Sequence, residues 1–226
     1  MLTFTTLSTL ALAALTVAAP VELKTRTTCY SGVYVIGVRG SEEDAGFGST
    51  ATVVNDVLEA IPSSGSIALD YPASVVDPIY SSSVTDGIKA LITLVQDYAD
   101  ACEGKIVLVG FSQGGNVITD ALAGGVLKPT PLTASYVDHI SAVTVFGDPT
   151  FTHGQTFDAG TDTSSDGIFS RGHSSLELLN TYADKIQSYC DVGDVYCASG
   201  SDTTAHREEI PTWATAAETF IVSKST

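Results

Sequence analysis

The chain has 226 residues and a formal net charge of −16 at pH 7. This length is typical of one α/β domain with a sizeable hydrophobic core. So acidic a chain repels nucleic acid and anionic membrane surfaces, and we expect neither as a partner.

The first 19 residues are typical of a secretory signal. Leu10 to Ala19 is an apolar run that ends in small residues, and no charged side chain occurs before Glu22. The run is too short to span a membrane. We therefore expect residues 1–19 to be removed on export and residues 20–28 to be a short pro-segment or flexible arm. Residues 29–226 would then be a single catalytic domain, secreted into the extracellular medium.

The pattern of apolar residues predicts strands that alternate with helices along the rest of the chain. Short apolar runs predict strands at 33–38, 67–69, 106–109 and 140–146. Amphipathic periodicity predicts helices at 51–61, 84–99, 175–189 and 211–222, with a further helix directly after Ser112. Residues 150–173 are polar and are predicted as an irregular surface loop. This alternation favours an α/β fold, with a parallel sheet covered by helices on both faces.

The stretch from Lys105 to Gly115 joins the most apolar of these strands to a catalytic motif. The sequence Gly110-Phe111-Ser112-Gln113-Gly114 fits G-x-S-x-G, and a helical pattern follows it. A strand, a sharp turn, a serine and a helix are the context of a nucleophile elbow. The serine hydroxyl projects above the sheet there, and the helix N-terminus presents N–H groups to an oxyanion. We predict that Ser112 is a nucleophile, and an ordinary strand-to-helix turn is the alternative.

A serine nucleophile needs a general base, and histidine suits this role near neutral pH. The four histidines of the chain are His139, His153, His173 and His206. His139 precedes a predicted strand, and the next two lie in the polar loop. His206 lies before the last predicted helix, where hydrolases with this order of elements carry their base. We therefore predict that His206 is the base.

Four cysteines in an exported chain predict two disulfides. Cys190 and Cys197 are close in sequence, so we pair them with each other, which leaves Cys29 for Cys102. No Cys-x-x-Cys motif or Cys/His cluster indicates a metal site, and we expect neither a metal nor a cofactor.

The acid of a catalytic triad should lie before the base in this chain order. Asp194 lies in the ring that a Cys190–Cys197 bond would close, and such a ring stabilises the folded loop by roughly 2–3 kcal/mol. Asp191 in the same ring and Asp148 at a strand end are the alternatives, and Asp194 is favoured over both.

The oxyanion of the reaction needs at least two hydrogen-bond donors. One is predicted to be the N–H group of Gln113, the residue after the nucleophile. The other is predicted to be Ser41, which follows the first strand and offers both its N–H group and its hydroxyl.

These motifs resemble those of the cutinase and acetylxylan esterase family, which are small secreted serine esterases of the α/β-hydrolase fold. The resemblance covers roughly residues 28–224 and is carried by motifs spread along the chain, namely Arg39-Gly40-Ser41, Leu69-Asp70-Tyr71-Pro72-Ala73, Gly110 to Gly115, Gly147-Asp148-Pro149, and Cys190 to Cys197 followed by His206. It implies a mostly parallel, five-stranded sheet and a triad of Ser112, Asp194 and His206. It also implies an oxyanion hole at Ser41 and Gln113, and disulfides between Cys29 and Cys102 and between Cys190 and Cys197.

The two branches of this family imply different substrates. Residues 198–205, between acid and base, are almost wholly polar, whereas cutinases carry an apolar segment there that lines an acyl groove. A polar wall suits sugar hydroxyls, so we predict an esterase that removes short acetyl groups from xylan in plant cell walls. The stretch Arg207-Glu208-Glu209 is charged where both branches usually have small or aromatic residues.

Two alternatives to this function stay open. Arg39-Gly40-Ser41 is the cutinase form of the first loop, so a cutinase acting on cutin or another lipid polyester is one alternative. A non-catalytic wall-binding or host-signalling protein is the alternative of another class. In each case we expect a monomer.

Overall fold

The computed structural model describes Met1 and residues 27–226. The expected signal segment and most of the expected arm therefore lie outside the described residues. In the described part, six strands form one sheet: β1 (Val33–Val38), β2 (Gly65–Ala68), β3 (Lys105–Phe111), β4 (Ile140–Phe146), β5 (Asp158–Ala159) and β6 (Ile186–Tyr189). Their order across the sheet is β2-β1-β3-β4-β6-β5, and every neighbouring pair is parallel.

The helices of the described residues lie between these strands in sequence, except for the last one, which follows β6. They are α1 (Ala51–Ala60), α2 (Tyr80–Ala101), α3 (Gln113–Ala123), α4 (Ala134–Val137), α5 (His173–Asn180) and α6 (Thr203–Ser225). None of these described helices is both long enough and apolar enough to cross a membrane.

The central strand β3 is buried on both faces of the sheet. Ile106 and Leu108 pack into one core with residues of α2 and α3, whereas Val107 and Val109 pack into a second core with residues of α1 and α6. All four side chains are fully buried, and each contributes about 1.5–3 kcal/mol through the hydrophobic effect. The predicted parallel sheet with helices on both faces is therefore confirmed.

The number of strands differs from the expected five, because two segments were assigned incorrectly from the sequence. Helix α5 ends at Asn180, and the second half of the helix predicted at 175–189 is strand β6. Its residues from Ile186 to Tyr189 pair with β4, and this pairing outweighs the helical periodicity of a short segment. Residues 158–159, predicted as loop, add the short sixth strand beside β6.

Two helices begin at least a full turn earlier than predicted. Helix α2 starts at Tyr80, so the serine run that follows is helical. Helix α6 starts at Thr203, because the side chain of Asp202 accepts hydrogen bonds from the N–H groups of the second and third helical residues. Pro211, predicted as the first turn, lies inside this helix. His206 therefore lies near the start of a helix and not in a loop before it.

Two disulfides are present, Cys29–Cys102 and Cys190–Cys197, with Cα–Cα distances of 5.5 and 5.8 Å. These are the expected pairs. Cys102 precedes β3, at the edge of the sheet where the strands begin. The end of the chain lies at the same edge, because the Lys105 ammonium donates a 2.8 Å hydrogen bond to the carbonyl oxygen of Ser225. The seven residues of β3 separate this edge from Ser112 by roughly 20 Å.

Removing the first disulfide is expected to destabilise the fold. In the C29S/C102S variant the free energy of unfolding should fall by about 4 kcal/mol, because a bond across a long loop restricts the unfolded chain strongly. Guanidinium denaturation followed by circular dichroism measures this change. The exposed S31A variant is the control, with an expected change within about 0.5 kcal/mol. Equal stability of the two variants would contradict the expectation.

Candidate active site

The turn between β3 and α3 holds Ser112 in a backbone conformation that L-residues rarely adopt, with φ 53° and ψ −117°. Such a conformation costs on the order of 1–3 kcal/mol and occurs mainly at functional sites. The Ser112 N–H group donates a 2.7 Å hydrogen bond to the carbonyl oxygen of Phe146, at the end of β4. The strand, turn and helix expected around Ser112 are thus present, and the turn is fixed to the neighbouring strand.

The two glycines of the motif let the helix start this close to the sheet. A Cβ atom on Gly114 would overlap the carbonyl oxygen of Val38, at the end of β1. A Cβ atom on Gly110 would lie 2.8 Å from the carbonyl oxygen of Gly114. Real Cβ atoms do not approach oxygen so closely, so any other residue would push α3 away from β1 and β3.

A buried hydrogen bond joins Asp194 to His206. The Nδ1 atom of His206 lies 2.7 Å from Oδ2 of Asp194, and both side chains are buried. The other oxygen of Asp194 accepts from the N–H groups of Tyr196 and Cys197, at 2.6 and 3.0 Å. The Cys190–Cys197 ring (residues 190–197) thus fixes the carboxylate, and the carboxylate fixes the imidazole.

The environment keeps Asp194 ionised. Burial alone would raise the pKa of this carboxyl, but the hydrogen bond from His206, the charge of His206 and the hydrogen bond from the Tyr196 N–H group together lower the pKa below its ordinary value. An ionised Asp194 accepts a hydrogen bond from the Nδ1–H group of His206, which leaves Nε2 of the ring available as a base.

The two alternative acids face other groups. Both carboxylate oxygens of Asp148 accept hydrogen bonds from the Thr150 hydroxyl, and one also accepts from Thr119. Asp191 accepts from Thr161 and from the indole N–H group of Trp213. Within the described chain, neither carboxylate makes a hydrogen bond to His206.

The imidazole of His206 lies beside the turn that carries Ser112. Its ring centroid is 4.9 Å from that of Phe111, the residue before the serine, in a stacked arrangement. Gly147 lies against the Cε1 and Nδ1 atoms of the ring, and it directly follows Phe146, whose carbonyl oxygen accepts from the Ser112 N–H group. The structure thus brings Ser112 and His206 close together, but among the described residues no hydrogen bond joins the Ser112 hydroxyl to the His206 ring.

The other three histidines lie elsewhere. His153 is exposed and pairs with Asp166 at 2.8 Å. His139 precedes β4 at the edge of the sheet where the strands begin, and His173 is exposed at the start of α5. None of the three makes a hydrogen bond to Ser112 in the described structure.

The side chain of Gln113 connects the serine turn to the loop after β1. Its Nε2 atom donates to the Ser41 hydroxyl and to the carbonyl oxygen of Ser74, both at 3.0 Å. Its Oε1 atom accepts from the Ser83 hydroxyl at 2.7 Å. The backbone N–H groups of Ser41 and Gln113 have no acceptor among the described residues, so both remain available to an anion.

A role for Ser83 was not predicted from the sequence, because the serine run at 81–83 was expected to be a loop. Only the earlier start of α2 brings its hydroxyl to Gln113. Because Ser83 also accepts from the N–H group of Ser74 at 3.0 Å, it links the two partners of the glutamine amide. No local motif signals this role.

An apolar rim is formed by segments that adjoin residues of the site. Its members are large side chains that stay exposed to solvent: Val75, Val76, Ile79, Ile168, Phe169 and Tyr196. The first three follow Ser74, and Phe169 approaches Tyr80 with ring centroids 5.5 Å apart. Tyr196 contacts the His206 ring edge-on at 4.6 Å. The surroundings are therefore less polar than residues 198–205 alone suggest.

Comparison with known proteins confirms the resemblance that the sequence motifs indicate. The cutinase family model matches residues 29–225. Acetylxylan esterase 2 of Talaromyces purpureogenus is 35% identical, with 92% of each chain covered. Cutinase 11 of Verticillium dahliae is also 35% identical, over 96% of this chain and 76% of that protein. A solved structure of an acetylxylan esterase matches with a TM-score of 0.80 and 35% identity, over 88% of this chain and all of that one.

A substitution at Gly147 should displace the imidazole. A Cβ atom there would lie 2.5 Å from Cε1 and 2.7 Å from Nδ1 of His206, so G147A is expected to break the hydrogen bond to Asp194. Proton NMR measures this through the low-field signal of the bonded Nδ1–H group.

The G154A variant is the matched control. Gly154 has a similarly positive φ of 86°, but a Cβ atom there meets nothing within 4 Å. The two variants share the backbone strain, and G154A should keep the low-field signal. A signal that survives in G147A would contradict the described placement of His206.

Proposed function

The chain belongs to the cutinase family and is a carboxylic ester hydrolase, and we propose that Ser112, His206 and Asp194 are its catalytic triad. The observation that carries this proposal is the buried His206–Asp194 hydrogen bond beside the strained turn at Ser112. Contacts between nucleophile and base are often loose without substrate and tighten when it binds.

In the proposed reaction His206 removes the proton of the Ser112 hydroxyl as its oxygen attacks the ester carbonyl. The oxyanion accepts hydrogen bonds from the N–H groups of Gln113 and Ser41. His206, held by Asp194, then gives its proton to the leaving alkoxide, and an acyl-enzyme remains. Water repeats the sequence and releases the acid. These steps need neither a metal nor a cofactor.

We propose that the substrate is an ester of the plant cell wall, and most of all an acetyl ester of xylan. Two observations support this choice: the similarity to acetylxylan esterases over most of the chain, and the exposed polar residues 199–204 beside the site. Sugar hydroxyls can exchange hydrogen bonds with such a wall.

Hydrolysis of cutin or another lipid polyester is the second candidate, and the apolar rim favours it. Val76 is 78% exposed and Phe169 is 52% exposed. Each methylene of an acyl chain buried against such side chains would gain about 0.8 kcal/mol. Similarity to Cutinase 11 points the same way.

We also propose that the enzyme acts outside the cell as a monomer. Residues 1–19 would direct export, residues 20–28 would form an arm, and residues 29–226 would be the catalytic domain. The two disulfides support an oxidising compartment.

The S112A variant tests the triad. Its rate of p-nitrophenyl acetate hydrolysis is expected to fall by at least about 10⁴-fold, because the nucleophile is lost. The S82A variant, which changes an exposed serine on α2, should match the wild type. A serine-directed phosphonate should label the wild type at Ser112 and leave S112A unlabelled. Folded wild-type protein that escapes labelling would favour the non-catalytic, wall-binding alternative.

A series of p-nitrophenyl esters from acetate to long acyl chains tests the substrate. We expect kcat/KM to fall steeply beyond butyrate, since the proposed substrate carries an acetyl group. The V76S variant, which makes the rim more polar, should leave the acetate rate within about twofold. High rates with long chains, reduced selectively by V76S, would instead establish the lipid polyester as substrate.

A further inference from the structure

Glu209 is a buried carboxyl group one helical turn after His206 on α6. Its side chain is fully buried, whereas the adjacent Arg207 and Glu208 are exposed. Residues three positions apart lie on one face of a helix, so Glu209 faces the same ring as His206. The charged stretch noted in the sequence therefore contributes one residue to the interior.

The Cys190–Cys197 ring surrounds this carboxyl. Its Oε1 atom accepts a 3.1 Å hydrogen bond from the N–H group of Asp191 and lies 3.2 Å from Sγ of Cys197. That sulfur is bonded to Cys190 and carries no proton, so this second approach is a contact only. The Oε2 atom is buried and accepts no hydrogen bond from any described donor.

The unpartnered oxygen is explained if Oε2 carries a proton. The neighbouring carboxyl group is that of Asp194, which lies close enough for each carboxyl to shift the pKa of the other. Two buried carboxylates in contact cannot both be ionised, and no described lysine or arginine pairs with either one. Asp194 already accepts from three N–H groups, which stabilise its charge. The proton therefore belongs on Glu209.

The titratable groups that face Glu209 agree with this assignment. Asp191 and Asp194 face it from the ring, and His206 lies on its own helix, beyond Asp194. Burial, followed by the hydrogen bond to Asp194 and the charges of Asp194 and Asp191, raises the pKa of Glu209 well above its ordinary value of 4.5, against the lowering effect of the Asp191 N–H group.

We propose that Glu209 is a positioning residue of the active site, whose neutral carboxyl donates a hydrogen bond through Oε2 to the carboxylate of Asp194. The role rests on the proposed triad. This donor fixes Asp194 from the side opposite His206 and lowers the basicity of the carboxylate, so the imidazole keeps its Nδ1 proton. Because Glu209 is neutral, it adds no negative charge that would hold a second proton on His206.

Three variants test this role in the full-length enzyme. In E209L the donor is lost, and kcat for p-nitrophenyl acetate should fall about 10- to 100-fold, the range expected for one hydrogen bond to a charged group, with KM little changed. In E209Q a neutral amide can donate to Asp194 and accept from Asp191, so it should recover most of the lost kcat. The exposed E208Q is the matched control and should equal the wild type.

The pH profile separates a neutral Glu209 from an ionised one. If Glu209 is neutral, the acid limb of kcat/KM should be the same in wild type and E209Q. If it is ionised, removing its charge in E209Q should shift that limb to lower pH by about one unit or more, and the proposal would be wrong. This comparison uses only E209Q, so it holds even where E209L does not fold.

Two measurements do not depend on catalysis. Isotope-edited infrared spectra at pH 7 should show the carbonyl stretch of a protonated carboxylic acid in wild type that E209Q lacks. Since the native state keeps a proton that the unfolded chain loses above pH 4.5, wild-type stability should fall relative to E209Q as the pH rises. Urea midpoints from pH 5 to 9 measure this trend.

The outcomes distinguish the two proposals. An active S112A would refute the triad and leave the infrared result standing. An inactive S112A without the infrared band, or without the trend in stability, would refute only the role of Glu209.

Discussion

The site depends on the parallel register of four strands. In a parallel sheet all strands end at the same edge, and the groups of the site follow these ends. Ser41 follows β1, Ser112 follows β3, Gly147 follows β4 and Asp194 follows β6. Each residue is attached within a few positions of a strand whose register is fixed by backbone hydrogen bonds on at least one side. The loops therefore need to place side chains over short distances only.

Asp194 and His206, twelve residues apart in sequence, are connected by a second set of bonds. Asp202 caps α6 with its side chain and donates its N–H group to the carbonyl oxygen of Gly193. Gly200 donates its N–H group to the carbonyl oxygen of Asp194. The start of α6 is thus tied to the disulfide ring by backbone bonds, in addition to the bond between the two side chains. This connection holds the Glu209 carboxyl group of α6 against the disulfide ring.

Local sequence predicted the parts of the structure that are local. The glycines around Ser112 allow the helix to pack closely against the strands, so the turn could be predicted from the sequence. The strands at 33–38 and 140–146 have the predicted bounds. The prediction was wrong for segments whose secondary structure depends on residues far away in the sequence. The strand from Ile186 to Tyr189 forms because it pairs with β4. Helix α6 starts before the predicted Pro211 because the Asp202 side chain caps it. The bond from Ser83 to Gln113 joins residues thirty positions apart, and no periodicity predicts it.

Both ends of the described domain leave from the edge of the sheet where the strands begin. Cys29 is bonded to Cys102 just before β3, and the carbonyl oxygen of Ser225 is bound to Lys105 at its first residue. Ser112 and its partners occupy the opposite edge. A polypeptide could be fused to either terminus, or a terminus could be tethered to a solid support. In both cases the attached partner would lie on the side of the domain away from Ser112. The edge that carries Ser112 would stay free to face an insoluble polymer.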